Sequence, residues 1–303
     1  MMNQKTISPR AWGELILLSV IWGASFLSIR IALDEVPFMT TVAHRVFWAA
    51  LILWLYVVLR GLAIPRDPKI WLFFIVMGLL NNAIPFSLMA WGQLHIETGL
   101  TSILNAATAI FGVIVAALFF ADERLTANRL VGVILGFLGV ATAIGLENLA
   151  QFDLRSLAQL AVLVGTLSYA FASTWARKKL SHLPPQIAAA GMLTGSTLIM
   201  LPLAYAVDGA PNLTLETDTI AAIAYYAVIA TAGAYLLYYR VLGMAGSGNL
   251  MLCTLLVAPV AIILGAWVLD EALHPRAYLG FALLAAGLMI LDGRILRVLR
   301  KSP

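Results

Sequence analysis

The sequence predicts an all-α polytopic membrane protein with ten transmembrane helices, arranged as two inverted five-helix repeats. Three observations lead to this fold class. Hydrophobic residues make up 62% of the 303 residues and charged residues only 11%, whereas about 25% of the residues of an ordinary soluble domain are charged. The apolar runs are about 20 residues long, which is the length of a helix that crosses a bilayer. Finally, the second half of the sequence repeats features of the first.

The predicted spans follow one another along the chain and are separated by short polar or charged segments. Hydropathy windows of about 19 residues place them. The spans are 11–33, 39–60, 70–94, 98–120, 128–146, 156–177, 186–206, 218–240, 245–268 and 276–296. They divide the chain into two predicted domains, 1–150 with the first five spans and 151–303 with the other five.

Basic residues are distributed unequally between the two predicted faces of the membrane. If the N-terminus is cytoplasmic, four of the 19 Lys and Arg residues fall on the outer side, namely Arg30, Arg45, Arg155 and Arg276. Because cytoplasmic segments carry an excess of Lys and Arg, this distribution predicts that both termini are cytoplasmic. Contact with anionic lipid headgroups then accounts for the net charge of +4 without nucleic acid.

The internal repeat is a block of the form Asp-Glu-x-Leu…Gly…Gly that occurs twice with the same spacing. Its fixed positions are Asp122, Glu123, Leu125, Gly132 and Gly139 in the first copy, and Asp270, Glu271, Leu273, Gly280 and Gly287 in the second. Since each half has an odd number of spans, the second copy enters the membrane from the opposite side. Inverted repeats occur in many secondary transporters, with the substrate site near the midplane, so the pattern favours transport over a duplication that serves only stability.

Other motifs add to this block: Trp22-Gly23-Ala24-Ser25-Phe26 in the first span, Arg45 early in the second and Pro259 in the ninth. Together they resemble the drug/metabolite transporter superfamily, EamA type, over nearly the whole chain. The resemblance implies a ten-helix fold with a central cavity lined chiefly by the first, third, fourth, sixth, eighth and ninth spans. It also implies export of amino acids or related metabolites across the bacterial cytoplasmic membrane.

The duplicated acidic pairs follow the fourth and ninth spans. Carboxylates can accept the unpaired N–H groups at a helix N-terminus, so we expect both pairs to cap the helices of the fifth and tenth spans and to fix a helical hairpin. Gly132, Gly136 and Gly139 give the fifth span a face of small residues that permits close helix packing. Contact between the two halves and contact between protomers explain this face equally well.

Polar and aromatic residues in the middle of the spans are the candidate substrate site. Asn81, Pro85 and Met89 share one stripe of the third span, and amides at that depth are costly unless they face protein or water. Such a lining suits an aromatic or apolar metabolite. Bonding of the asparagines to neighbouring helices, and simple packing of each aromatic ring, remain open alternatives. The predicted substrate-binding residues are Trp22, Ser25, Asn81, Asn82, Met89, Asn105, Tyr169, Tyr235 and Tyr238.

Pro85 and Pro259 interrupt helical hydrogen bonding, so we expect hinges there, assisted by Gly243, Gly246 and Gly248. Energy coupling is less specified by the sequence. Proton or sodium antiport usually needs an ionisable group deep in the bilayer, whereas Glu14 lies about one turn into the first span, four residues after Arg10. This spacing suits a helical ion pair. Because Glu14 lies close to the end of the span, the sequence favours a uniporter over a proton-coupled drug exporter.

The residues give little support to other classes of protein. The four histidines are scattered along the chain and lack the spacing to carboxylates expected of a membrane enzyme for lipid-linked substrates. Cys253, the single cysteine, excludes an intrachain disulfide or a Cys-type zinc site. We therefore expect no enzyme activity, no cofactor, no metal and no obligatory protein partner, only a small-molecule substrate and the lipid bilayer. A passive channel is not separated from a carrier at this point.

Overall fold

The computed structural model describes residues 7–93, 95–96, 98–153, 156–212, 214–268 and 274–292. These residues form helices and connecting turns, without a β-strand among them. The α-helices, numbered α1 to α14 in chain order, are Pro9–Leu33, Phe38–Leu59, Pro68–Gly78, Ile84–Gln93, Thr98–Ala106, Thr108–Phe119, Ala127–Ile144, Leu157–Lys179, Pro185–Asp208, Thr217–Ala224, Ala234–Ala245, Ser247–Leu250, Cys253–Val268 and Pro275–Asp292. A short 3₁₀ helix, Leu146–Gln151, links α7 and α8.

Eight helices in the described part of the chain are long and apolar enough to cross a membrane. They correspond to the second through ninth predicted spans, and the all-α membrane class is thus confirmed. α1 covers the first predicted span, and the shorter apolar helix α14 covers most of the tenth. Both start at a proline, which suits the first turn of a helix because its missing N–H is unpaired there in any case.

Two of these long helices change their winding in the middle. The π-helical segment Leu79–Ala83 joins α3 to α4, and a second one, Tyr225–Gly233, joins α10 to α11. In the first segment the Ile84 N–H donates to the Leu79 carbonyl, five residues back. Pro85 follows directly, and since proline has no N–H it cannot restore the α-helical bond to residue 81. The two π segments occupy corresponding positions in the two halves.

Glycines bring α7 and α14 into direct backbone contact. A Cβ atom built on Gly139 would lie 2.7 Å from the Gly280 carbonyl oxygen, and one on Gly132 would lie 2.6 Å from that of Gly287. The residue order shows that the two helices run antiparallel. The small-residue face of the fifth predicted span therefore packs against the other half of the same chain. Of the two explanations that the sequence left open, the structure shows the contact between halves.

The two halves also interlock elsewhere. α1 packs against α11 and α13 of the second half, and α8 packs in the same way against α4 and α6 of the first. α2 packs along α9, where Asp208 closes the contact by accepting from the Thr40 N–H at 2.7 Å and from its hydroxyl at 2.8 Å. These contacts place the residues of the third and eighth predicted spans at the centre of the molecule.

Candidate functional site

Trp22 lies in the middle of α1 and faces the π segment Tyr225–Gly233. Its indole Nε1 donates to the Ala230 carbonyl oxygen at 3.1 Å, an acceptor available because a π segment shifts its carbonyls out of the regular α-helical pattern. The Trp22 ring lies 6.1 Å from the ring of Tyr235 and 6.4 Å from that of Tyr238, measured between centroids. These separations are typical of favourable aromatic pairs.

Asn81 and Asn82 lie in the π segment Leu79–Ala83 and bond to the second half of the chain. The Asn81 amide donates to the Tyr235 hydroxyl oxygen at 2.9 Å, and that hydroxyl donates to Asn82 Oδ1 at 2.5 Å. The Asn82 amide donates to the Ser196 hydroxyl at 2.6 Å. All four side chains are buried, and a buried amide without a partner costs about 1–3 kcal/mol. The network explains how two amides are tolerated at this depth.

We call Trp22, Asn81, Asn82, Tyr235 and Tyr238 the central cluster. The Tyr238 ring lies 5.8 Å from that of Tyr235, and its buried hydroxyl has no hydrogen-bond partner among the described residues. The same is true of the hydroxyl of Tyr226, whose ring packs in one apolar group with Trp22. A buried hydroxyl without a partner is uncommon and calls for an explanation. A ligand or an ordered water can supply the missing bond.

Tyr169, Phe86 and Arg45 form a second, half-buried group in the interior. The rings of Phe86 and Tyr169 meet edge to face at 6.3 Å, and the Arg45 guanidinium lies 4.8 Å from the Phe86 centroid. Arg45 reaches the same π segment as Trp22, since its Nε donates to the Thr231 hydroxyl at 2.8 Å and its Nη2 to the Ala230 carbonyl at 3.3 Å. The Ala230 carbonyl thus connects this group to the central cluster.

The other predicted site residues have different neighbours. The Ser25 hydroxyl donates to the Trp22 carbonyl of its own helix at 2.7 Å. Met89 is half-buried and lies at Gly165 of α8, where a built Cβ would come within 3.4 Å of its Cγ. Asn105 is half-buried, and its carbonyl accepts from the Thr108 hydroxyl at 2.6 Å. The predicted hinge Pro259 lies inside the continuous helix Cys253–Val268.

A charged cluster, which we define as Asp122, Glu123, Arg129 and Arg177, lies at one end of the molecule. Arg177 from the end of α8 donates to Glu123 Oε1 and to Asp122 Oδ2, both at 2.5 Å. Arg129 Nη2 lies 3.7 Å from Glu123 Oε2. Although Glu123 is fully buried, these two guanidinium groups and three further donors surround its carboxylate.

The further donors come from the start of α12 in the second half. Glu123 accepts from the Ser247 N–H at 2.8 Å, from the Ser247 hydroxyl at 2.9 Å and from the Gly248 N–H at 2.8 Å. Gly246 precedes them with a positive φ of 89°, and a Cβ built on it would lie 2.6 Å from Glu123 Oε1. Glycine is therefore required there both by the backbone conformation and by the approach of the carboxylate.

The prediction that Asp122 and Glu123 cap the helix of the fifth span is wrong. That helix, α7, has Thr126 as its N-cap, with the Thr126 hydroxyl accepting from the Arg129 N–H at 3.3 Å. Glu123 does cap a helix, but it is α12 of the other half, because α6 packs against α12 and Glu123 accepts from the Ser247 and Gly248 N–H groups. The second acidic pair, Asp270 and Glu271, lies outside the described residues.

Sequence reasoning missed Ser196, Thr231, Phe86, Tyr226 and the role of Arg45 as a bridge to the π segment. Ser196 and Thr231 are single hydroxyls in apolar runs, and nothing in their spacing distinguishes them from hydroxyls that bond only to their own helix. Arg45 offered a signal, since a guanidinium about two turns inside a predicted span is rare and usually functional.

Comparison with known proteins agrees with this architecture. The family model described as "EamA-like transporter family" matches the chain twice, over residues 12–145 and 156–291. A solved crystal structure superimposes with a TM-score of 0.78 over 93% of this chain and 96% of its own, at 15% sequence identity. This likeness concerns the fold alone.

Several curated relatives match nearly the full length of the chain, and three of them follow. The "Probable amino-acid metabolite efflux pump" of Escherichia coli is 25% identical, with 91% of this chain and 92% of the relative covered. The "Probable terminal-alkyne amino-acid exporter" of Streptantibioticus cattleyicolor is 26% identical, with 96% and 95% covered. The "Uncharacterized transporter YoaV" of Bacillus subtilis is 20% identical, with 91% and 94% covered.

Proposed function

We infer the activity of this chain from two observations. The chain belongs to the EamA-like transporter family, and its central cluster has the composition of a small-molecule site. It is a multi-pass membrane transporter with a small-molecule substrate. Two relatives carry names that refer to export of amino acids or their metabolites. We propose that this chain exports aromatic or other apolar amino acids from the bacterial cytoplasm. The sequence resemblance that points to this substrate class is to the bacterial aromatic amino acid exporter YddG.

The observation that carries the proposal is the composition of the central cluster. It combines aromatic rings with amide and hydroxyl groups, contains no charged side chain, and lies where both halves of the chain meet. Apolar sites with a few placed polar groups are typical of small-molecule binding. The hydroxyls of Tyr226 and Tyr238, which lack partners among the described residues, are available to a substrate amine or carboxylate.

We propose that the chain crosses the membrane ten times, with its halves inverted and both termini cytoplasmic. The antiparallel glycine contacts of α7 with α14 support this arrangement, since two corresponding helices of inverted repeats run in opposite directions. The matching contacts of α1 and α8 with the opposite half give further support. The excess of Lys and Arg on one predicted face sets the orientation.

Transport then proceeds by alternating access. In this arrangement the charged cluster lies on the cytoplasmic side, where it joins α8 and the loop before α7 to the start of α12. Its ion pairs close that end, and export requires them to separate so that substrate reaches the central cluster from the cytoplasm. Pro85 beside its π segment and Pro259 in α13 are the proposed hinges for this motion.

We favour uniport, driven by the substrate gradient. Glu14, the acidic residue nearest the first-span position of a proton-coupled exporter, pairs with Arg10 at 3.3 Å and with Arg240 at 2.5 Å. These ion pairs give Glu14 a structural role near the start of α1, where it is joined to Arg240 of α11, and this role favours uniport over a proton cycle. The transporter names of the relatives favour transport over the alternative of a membrane enzyme acting on lipid-linked substrates.

The test is counterflow in proteoliposomes. Vesicles preloaded with unlabelled phenylalanine should accumulate external radiolabelled phenylalanine transiently and saturably, with and without a proton uncoupler. A passive channel would equilibrate the label without the transient. Absence of protein-dependent flux for all aromatic and aliphatic amino acids would overturn the substrate class, and abolition by the uncoupler would overturn uniport.

Trp22→Phe provides a site-specific version of this test. It removes the indole bond to the Ala230 carbonyl but keeps a ring, and should change the relative rates for phenylalanine, tyrosine and leucine. Trp48→Phe is the matched control, since Trp48 also loses one bond, to His44 Nδ1 at 3.1 Å, on an exposed face. Equal substrate profiles for the two variants would count against Trp22 as a site residue.

A further inference from the structure

Arg45 is a cation inside a predicted span, and it pairs with no carboxylate among the described residues. It lies seven residues after the first residue of α2, which is about 10 Å along the helix axis. Its described polar partners are both neutral, the Thr231 hydroxyl and the Ala230 carbonyl. No ion pair joins it to a described carboxylate, whereas Arg129 and Arg177 each reach Glu123.

An arginine in this position needs an explanation, because a charge within the membrane is costly and is usually paired or functional. Two neutral acceptors leave the positive charge uncompensated, and the Nη1 atom makes no hydrogen bond to any residue in the described ranges. The side chain is half-buried, so the guanidinium is neither sealed into the core nor released to bulk solvent. These features are those of a cation that is accessible to an anion.

We propose that Arg45 binds the carboxylate of the transported substrate and thereby selects for carboxylate-bearing aromatic or apolar metabolites. This inference rests on the proposed export function. Guanidinium suits this role because its planar donors match a carboxylate in a bidentate manner. The surrounding rings supply the complementary apolar surface: Phe86 lies under the guanidinium, Tyr169 packs on Phe86, and Trp22 bonds to the Ala230 carbonyl that Arg45 also contacts.

In this arrangement two parts of one ligand contact two neighbouring groups of residues. The carboxylate meets Arg45 beside Thr231, and the apolar side chain extends toward Trp22 and the tyrosines of the central cluster. A ligand with the same side chain and a neutral carboxamide would leave the guanidinium uncompensated. Discrimination against it should be about 10- to 100-fold in affinity, the usual range for a charge-assisted hydrogen bond.

The experiment measures binding of L-phenylalanine and L-phenylalaninamide to the purified full-length protein by ligand-induced shifts in melting temperature across a concentration series. The variants are Arg45→Gln and Arg45→Lys. Arg60→Gln is the matched control, because Arg60 is an exposed arginine at the opposite end of α2. Unmodified protein and Arg60→Gln should bind phenylalanine about 10- to 100-fold more tightly than its amide.

Arg45→Gln should lose this preference by weakening phenylalanine binding to the level of the amide, while Arg45→Lys should retain part of it because the charge remains. A merely structural role of Arg45 would weaken both ligands equally and leave their ratio unchanged, which overturns the inference. If Arg45→Lys binds phenylalanine as tightly as the unmodified protein does, the bidentate role of Arg45 is overturned, whether or not Arg45→Gln folds. Failure of the unmodified protein to bind any aromatic or aliphatic amino acid is a different result, because it overturns the proposed function itself.

Discussion

The central cluster and the charged cluster both join the two halves of the chain through buried polar groups, but they use different chemistry. The central cluster relies on neutral amide, hydroxyl and indole bonds. The charged cluster surrounds one carboxylate with two guanidinium groups and two backbone N–H groups. A neutral hydrogen bond contributes about 0.5–1.5 kcal/mol net, whereas breaking one side of a buried ion pair costs about 3–5 kcal/mol.

This difference fits the position of each cluster and the task that the proposed function gives it. A substrate can replace neutral bonds at the middle of the membrane without leaving an unpaired charge in an apolar region. The ion pairs lie at one end of the bundle, where separated charges can regain water. The proposed function therefore predicts a centre that exchanges partners with the substrate and an end that is closed by ion pairs.

The largest effect is expected from Glu123→Ala. It leaves Arg129 without the carboxylate of Glu123 and Arg177 with Asp122 alone, and should lower the free energy of unfolding by about 3–5 kcal/mol, seen as a large fall in melting temperature. Glu147→Ala is the control, since the Glu147–Arg276 pair is exposed and exposed pairs contribute little. Similar melting temperatures for the two variants would contradict the assignment of a firm closure to the charged cluster.

Gly139→Ala tests the glycine contact between the halves. The new methyl group would lie 2.5 Å from the Leu284 backbone nitrogen and 2.7 Å from the Gly280 carbonyl oxygen, so α7 and α14 must separate, at a cost of about 1–3 kcal/mol. Gly13→Ala meets nothing within 4 Å and should keep or slightly raise the melting temperature. An unchanged melting temperature for Gly139→Ala would show that packing of the two halves does not depend on this contact.

Tyr235→Phe tests the central cluster with a smaller change. Removal of the hydroxyl leaves Asn82 Oδ1 and the Asn81 amide without their shared partner, and should cost about 1–2 kcal/mol together with altered substrate preference. Tyr278→Phe, on an exposed face, is the control. Wild-type stability and an unchanged substrate profile in Tyr235→Phe would remove this hydroxyl from the proposed site.

The smallest effect on stability is expected from the double variant Pro85→Ala, Pro259→Ala. Both substitutions can restore a helical N–H, so the protein should remain folded but cycle more slowly between its two states. Transport rates measured at saturating substrate, normalised to the amount of protein in the vesicles, check this expectation. A normal rate would remove both prolines as hinges.

Sequence reasoning reached the all-helical membrane class and the two repeats because apolar length and a duplicated block are local signals, readable without knowledge of contacts. It also predicted nine substrate-binding residues from their depth and chemistry, and five of them, Trp22, Asn81, Asn82, Tyr235 and Tyr238, lie together in the central cluster. It did not reveal which helix Glu123 caps, since that depends on how α6 and the turn before α12 meet in space. Nor did it reveal the π segments, because the second has no proline to mark it.

The central claim is that the two halves open the site alternately toward each side of the membrane. Spin labels on cysteines at Arg124 and Ser181 report the charged-cluster end, and labels at Asp34 and His274 report the opposite end, in a Cys253→Ala background. Pulsed electron paramagnetic resonance with and without phenylalanine should show the two distances changing in opposite directions. Distances that change together, or a single distribution at both ends under all conditions, would contradict the account.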